Sequence, residues 1–310
     1  MSTAAPVLSS IPDRLFTNPS DITVDLVDCK NDINHKNDLA PIGLFDSGVG
    51  GLSVYLHLAQ QLPSERYIYY ADTLHVPYGN RESQDIKELT LTAVEWLYQR
   101  GCKLIVIACN SASAHGLEAA RQHYPNLPIV GLVPALKPAV IASKSGHVAV
   151  LATKATLDGT LLNQVITDVA LPSRTQVTKY FDPQLVPWVE SGMPEMSEVA
   201  QRLRQQLQHF AHAKVDYLVL GCTHYPFFKE FLVNEIQSKQ FAIQVVDSGQ
   251  AIATRVQSLL AEKKLLAQKA SLATCHNRPP LIFYASRYDE RLDKLVTRLL
   301  GEQVKIEYML

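Results

Sequence analysis

The sequence predicts an α/β fold with mainly parallel sheets in two similar halves, and three observations lead there. From Pro41 onward, short apolar runs alternate with amphipathic stretches, the pattern of βα units wound around a parallel sheet. The chain also echoes itself. Leu104-Ile105-Val106-Ile107-Ala108-Cys109-Asn110-Ser111 is answered by Tyr217-Leu218-Val219-Leu220-Gly221-Cys222-Thr223-His224, each an apolar run ending in a small residue, a cysteine and a polar pair. A second echo relates Phe45-Asp46-Ser47-Gly48 to Val246-Asp247-Ser248-Gly249.

Residues 1–40 are rich in Asn, Asp and Ser without sustained periodicity, and are expected to be a disordered extension outside the fold. Within them Ile22, Val24 and Leu26 alternate as a short edge strand would. Strands are then expected at Ile42–Phe45, Tyr67–Ala71, Leu104–Ala108, Ile129–Leu132, His147–Ala152, Gln176–Phe181, Tyr217–Leu220, Gln244–Val246 and Leu281–Tyr284. Between them, Glu82–Arg100 carries Ile86, Leu89, Ala93, Trp96 and Leu97 at helical spacing, with Gly101 as its stop. Glu198–His212 reads the same way, and Leu52–Leu62 continues from a glycine-rich turn.

At 310 residues the chain suits two domains, at about 100 to 200 residues each. Hydrophobic residues at 47% and charged residues at 19% describe an ordinary globular protein. A net charge of -1 gives no basic footprint for nucleic acid as a primary partner. No apolar run approaches the roughly 18 residues of a membrane span, and Ala4–Leu8 is too short for a secretory signal, so a cytoplasmic protein is expected, with no membrane partner. The five cysteines are odd in number and show no close pairing, which favours reduced thiols.

In open α/β sheets, ligands bind at the carboxyl ends of strands, where Cys109 and Cys222 are both expected. A helix N-terminus there can lower a thiol pKa and supply thiolate. Either cysteine alone reads equally as a small buried hydrophobe; two in matching strand-end settings read as chemistry. Cys29, Cys102 and Cys275 lack that setting, and no C-x-x-C or zinc-like spacing is present, so no metal is expected. Asp46-Ser47-Gly48-Val49-Gly50-Gly51 follows a strand and feeds a helix, a geometry that cradles anions or simply makes a tight turn. It has neither the Walker lysine nor dinucleotide spacing. Asp46 is placed to bind an ammonium group or a neighbouring catalytic side chain. Pro77-Tyr78-Gly79 is a turn after a strand, and His224 lies two residues from Cys222.

Together these residues resemble the glutamate racemases, of the cofactor-independent two-cysteine aspartate/glutamate racemase superfamily. The matching segments are Phe45 to Gly51, Pro77 to Gly79, Ala108 to Ser113 and Gly221 to Pro226, with softer matches at Gly131 to Ala135 and Val246 to Gly249. The resemblance runs from Pro41 to the C-terminus. It implies two similar three-layer α/β domains, one formed by 41–133 with 244–310 and the other by 134–243, with the active site in the cleft between them. It implies interconversion of L-glutamate and D-glutamate by 1,1-proton transfer without a cofactor, supplying D-glutamate for peptidoglycan, cell-wall biogenesis and cell shape.

Carried over position by position, Cys109 and Cys222 are the acid/base thiols, the first serving the D-isomer and the second the L-isomer. Asp46, Glu190 and His224 join them in catalysis. Asp46, Ser47, Pro77, Tyr78, Gly79, Asn110, Ser111, Thr223 and His224 bind substrate. Ser111 stands where the family has Thr, and Ala152-Thr153-Lys154-Ala155-Thr156 departs from a Gly-Thr-x-Gly-Thr pattern. Some longer members are activated by a peptidoglycan precursor, which makes such an activator, like a homodimer, a candidate partner.

The chemistry agrees with the resemblance. Racemisation needs a base on one face of the α-carbon and an acid on the other, so two like groups from two like halves suit it. Related readings are a sister racemase acting on aspartate, hydantoins or maleate, and an interaction protein that keeps only the fold. A dehydrogenase fits less well, because the glycine spacing is wrong.

Overall fold

The computed structural model describes residues 37–267, 281–301 and 304–308. Cys29, Cys275 and the Ile22, Val24, Leu26 alternation lie outside the described residues. In chain order the strands are β1 (Ile42–Asp46), β2 (Tyr67–Ala71), β3 (Leu104–Ile107), β4 (Ile129–Gly131), β5 (His147–Ala152), β6 (Gln176–Tyr180), β7 (Tyr217–Gly221), β8 (Gln244–Val246), β9 (Leu281–Ala285) and β10 (Ile306–Tyr308). The helices are α1 (Leu52–Gln61), α2 (Ser83–Gln99), α3 (Asn110–His123), α4 (Leu136–Ala142), α5 (Lys154–Asp158), α6 (Thr160–Val165), α7 (Leu185–Glu190), α8 (Glu198–His212), α9 (Lys229–Ser238), α10 (Gly249–Glu262) and α11 (Leu292–Leu300).

Two wholly parallel sheets result, one in the order β10-β9-β2-β1-β3-β4 and one in the order β6-β5-β7-β8. Every residue of β1, β2 and β3 is buried, as a parallel sheet covered on both faces requires. The pleat sends Ile42, Leu44 and Val106 to one face, under α1, α10 and α11. Phe45, Ile105 and Ile107 go to the other, under α2 and α3. The smaller sheet is layered in the same way. Ala149, Leu151, Leu218 and Leu220 meet α8 and α9, while Val148, Val150 and Val219 meet α4, Leu157 and Leu162.

The helices form where their apolar stripes do. Along α8, Ala200, Leu203, Leu207 and Phe210 are buried at helical spacing, and Ser197 caps the start by accepting from Ala200 N–H at 3.2 Å. After α2, Gly101 takes φ 73, the left-handed stop expected of it. Two features depart from the sequence reading. β8, counted there with the first half, pairs with β7 and so belongs to the smaller sheet. β10 was not expected, although Val304, Ile306 and Tyr308 alternate with Lys305 and Glu307 as a short half-buried edge strand would.

Candidate active site

Each sheet winds first to one side of its opening strand and then to the other. β1 is followed by β2 on one flank and β3 on the other, and β5 by β6 and then β7. Strand order therefore reverses between β1 and β3 and between β5 and β7, where the loops at the strand ends part and leave a crevice. Cys109 follows β3 and Cys222 follows β7, so each cysteine stands at the reversal point of its own sheet. The two crevices meet. A single cavity of about 230 Å³ is walled by both cysteines together with Ser47, Pro77, Tyr78, Gly79, Asn110, Ser111, Glu190, Thr223 and His224.

Cys109 is the N-cap of α3, its sulfur accepting from Ala112 N–H at 3.4 Å and lying 3.7 Å from Ser47 Oγ. The sequence argument expects a helix N-terminus to lower such a thiol. Burial and the neighbouring Asp46 carboxylate outweigh that donor and push Cys109 up to about 12, so this sulfur rests as a thiol.

Asp46 is the one predicted site residue set behind the cavity wall. Fully buried, it accepts from Gly48 N–H at 2.7 Å and from the Thr223 hydroxyl at 3.1 Å. Burial raises its pKa against the opposing charge of His224. It ties the end of β1 to the end of β7, and Ser53 adds a second tie by donating to Thr223 O at 2.8 Å. Gly50 makes this approach sterically feasible. A Cβ there would stand 2.5 Å from Thr223 Oγ1 and 2.8 Å from His224 Cε1. The glycine-rich turn is thus packed against the second half, and Asp46 itself occupies one of the turn's N–H groups.

On the other wall, His224 Nδ1 lies 4.0 Å from Cys222 Sγ and its Nε2 lies 3.1 Å from Glu190 Oε1. Burial opposes charge on this ring, but the Cys222 sulfur and the Glu190 carboxylate together hold its pKa up to about 10. The two thiols therefore sit in unlike settings, one beside a carboxylate and the other beside a carboxylate-backed imidazolium.

Tyr78 does not aim its hydroxyl at the cavity; it donates to Asp72 Oδ2 at 2.6 Å, and Ser286 donates to Asp72 Oδ1 at 2.8 Å. Asn110 Nδ2, in contrast, is buried without a hydrogen-bond partner among the described residues, a donor arrangement that a ligand oxygen would complete.

Thr153 and Asp182 are among the cavity residues to which the sequence reading gave no role. Thr153 caps α5, and its hydroxyl lies 3.0 Å from Ser111 Oγ. Its signal was available, since it follows β5 as Cys222 follows β7. Asp182 had a like signal, since it follows the expected strand Gln176–Phe181. It reaches the wall from the turn after β6, held by Arg202 Nε at 3.1 Å and Gln184 N–H at 2.9 Å.

With this geometry in view, known proteins give a consistent comparison. The Asp/Glu/Hydantoin racemase family model matches residues 42–256. A glutamate racemase of Deinococcus radiodurans is 50% identical over 229 residues, covering 73% of this chain and 77% of its own length. The chain belongs to the glutamate racemases of that family. It is accordingly an amino-acid racemase, an isomerase. A glutamate racemase of Ectopseudomonas mendocina is 37% identical over 86% of this chain and 97% of its own.

Among solved structures, a glutamate racemase isoform of Bacillus anthracis superposes with a TM-score of 0.76 at 28% identity, covering 88% of this chain and 98% of its own. The Escherichia coli enzyme, in complex with L-glutamate and the activator UDP-MurNAc-Ala, gives 0.70 at 30% identity, covering 87% and 98%. Among the described residues, no helix is long and apolar enough to cross a membrane, and no three His, Cys, Asp or Glu side chains are grouped to hold a metal ion.

Proposed function

We propose that this chain interconverts L-glutamate and D-glutamate in the cytoplasm, one of Cys222 and Cys109 taking the α-proton as the other delivers its own proton to the opposite face, without a cofactor, and so supplies D-glutamate for peptidoglycan. The observation that carries the reading is the convergence of two thiols, each from the reversal point of a different sheet, on one small cavity. In the L-to-D direction the Cα–H bond breaks toward Cys222 Sγ, and the Cys109 thiol gives its proton to the opposite face of the same carbon. The reverse direction exchanges these roles. Burial of Cys109 suits the donor role, since it keeps the proton on sulfur until the carbanion forms. His224, backed by Glu190, supplies positive charge beside Cys222.

The carbanion has no electron sink in this reading, so its charge must be met by fixed donors around the substrate carboxylate. The orphaned Asn110 amide and the hydroxyls of Ser47, Ser111 and Thr223 are the donors on the cavity wall. Likeness to the Escherichia coli enzyme extends the proposal to activation by a peptidoglycan precursor.

The test uses purified protein with L-glutamate in deuterium oxide and no added cofactor. Circular dichroism should decay to zero while the α-proton NMR signal disappears. Retained optical activity, or an equal rate on L-aspartate, would overturn the assignment.

A further inference from the structure

The Glu190 carboxylate can serve His224 only if the chain that carries it is fixed. Glu190 is the last residue of α7, a helix of six residues, and its side chain is 37% exposed at the mouth of the cleft. The chain then turns sharply through Ser191, Gly192 at φ 101 and Met193 at φ 56. A short helix end followed by such a turn is a poor platform for a residue that must stay 3.1 Å from an imidazole.

The missing constraint comes from the other half of the molecule. Arg298 lies on α11, whose Leu292, Val296 and Leu299 are buried in the core and which connects β9 to β10 of the sheet bearing Cys109. Its Nη2 donates to the backbone oxygen of Glu190 at 2.7 Å. A cation on the open carbonyl of a helix C-terminus is a favourable pairing. Gly192 makes room for it, since a Cβ there would stand 2.5 Å from Arg298 Nη1.

We propose that Arg298 is a positioning residue for the Cys222 side of the reaction: by holding the Glu190 carbonyl from the opposite half, it keeps the Glu190 carboxylate on His224 and His224 beside Cys222. Arg298 touches neither thiol. Cys109 is held directly by Ser47 and Ala112, and this chain of residues reaches it only at second hand, through the charge of His224 on Asp46. The effect of losing Arg298 should therefore fall mainly on the Cys222 side, which a general loosening of the fold would not do.

The proposal rests on the assignment of Cys222 to the L-isomer and Cys109 to the D-isomer, and the test separates the two claims. Each enantiomer of 3-chloroglutamate needs only one deprotonation: the α-proton passes to one thiolate, the Cβ–Cl bond breaks and chloride leaves. Arg298→Ala and Arg298→Gln should lower elimination from the L-isomer by about 10- to 100-fold, the cost of displacing a catalytic group by about 1 Å. The D-isomer rate should hold, and it doubles as the control for folding. Arg298→Lys, which keeps one donor, should recover most of the L-isomer rate. Equal losses on both enantiomers, or no loss on the L-isomer, would overturn the role of Arg298. Cys222→Ser is run alongside. If it loses the L-isomer selectively while the Arg298 variants are symmetric, only the positioning role falls; if it does not, the two-thiol reading falls and takes this role with it.

Discussion

Gly50 is where the two halves press hardest on the chemistry, so Gly50→Ala is the most informative single change. The added Cβ would stand 2.5 Å from Thr223 Oγ1 and 2.8 Å from His224 Cε1, whereas ordinary carbon contacts begin near 3.4 Å. Relief needs a displacement of roughly 1 Å, and neither neighbour can yield harmlessly. Thr223 is the 3.1 Å donor to Asp46, and His224 is held between Cys222 and Glu190. Overpacking of this kind costs about 1–3 kcal/mol of stability, and a shift of about 1 Å in a catalytic group costs about 100-fold in rate. The assay is kcat/KM for L-glutamate beside urea unfolding. Gly48→Ala supplies the comparison, since its Cβ meets only Val76 Cγ2 at 3.5 Å and Asp46 Oδ1 at 4.0 Å, and it should cost far less. If Gly50→Ala kept near wild-type activity, or if the two variants were equally impaired, the close packing of the turn on Thr223 and His224 would not be what the site depends on.

Two further outcomes follow from buried charge. Lys103 and Glu65 form an ion pair with both side chains inside the fold, and Lys103 also donates to Leu265 O at 2.8 Å. Lys103→Met should destabilise by about 3–5 kcal/mol in urea unfolding by stranding Glu65, and adding Glu65→Leu should recover much of that loss. Non-recovery would show that the carbonyl contacts, rather than the pair, carry the energy. Burial holds the Cys102 thiol up to about 12, so the folded chain keeps a proton that the unfolded chain releases near about pH 8.5. The unfolding free energy should therefore fall as pH rises through this window toward 12, and Cys102→Ala should flatten the fall. An unchanged slope would assign the loss to other groups.

Much of the fold was legible because its inner strands are buried on both faces and so stand out as apolar runs; Leu104–Ile107 and Tyr217–Gly221 are the clearest. β10 gives no apolar run, because as a half-buried edge it carries Lys305 and Glu307 between Val304, Ile306 and Tyr308; its signal was that alternation, and it was overlooked. The placement of β8 was illegible for another reason: Gln244–Val246 names a strand, but only its pairing with β7 names its sheet.

At the site, the thiols could be found because a strand end followed by a helix start is a local pattern. Asp46 shared that pattern, yet its position behind the wall depends on Thr223, 177 residues away. Arg298 lies on a helix face that carries no local signature and is brought to the cleft by the packing of one half against the other, whereas Asp182 follows an expected strand and is held within its own half by Arg202. The rise of Cys109 to about 12 was missed because the sequence shows the helix start but not the depth of burial.

The central claim is that Cys109 and Cys222 work on opposite faces of one carbon, and the division of labour between single mutants tests it most directly. Cys109→Ser and Cys222→Ser should each abolish racemisation, since loss of an acid/base group costs roughly 10² to 10⁴ in rate. With 3-chloroglutamate, Cys109→Ser should retain elimination from the L-isomer alone, and Cys222→Ser from the D-isomer alone. Racemisation at near wild-type rate by either mutant, or a preference of both for the same enantiomer, would contradict the account.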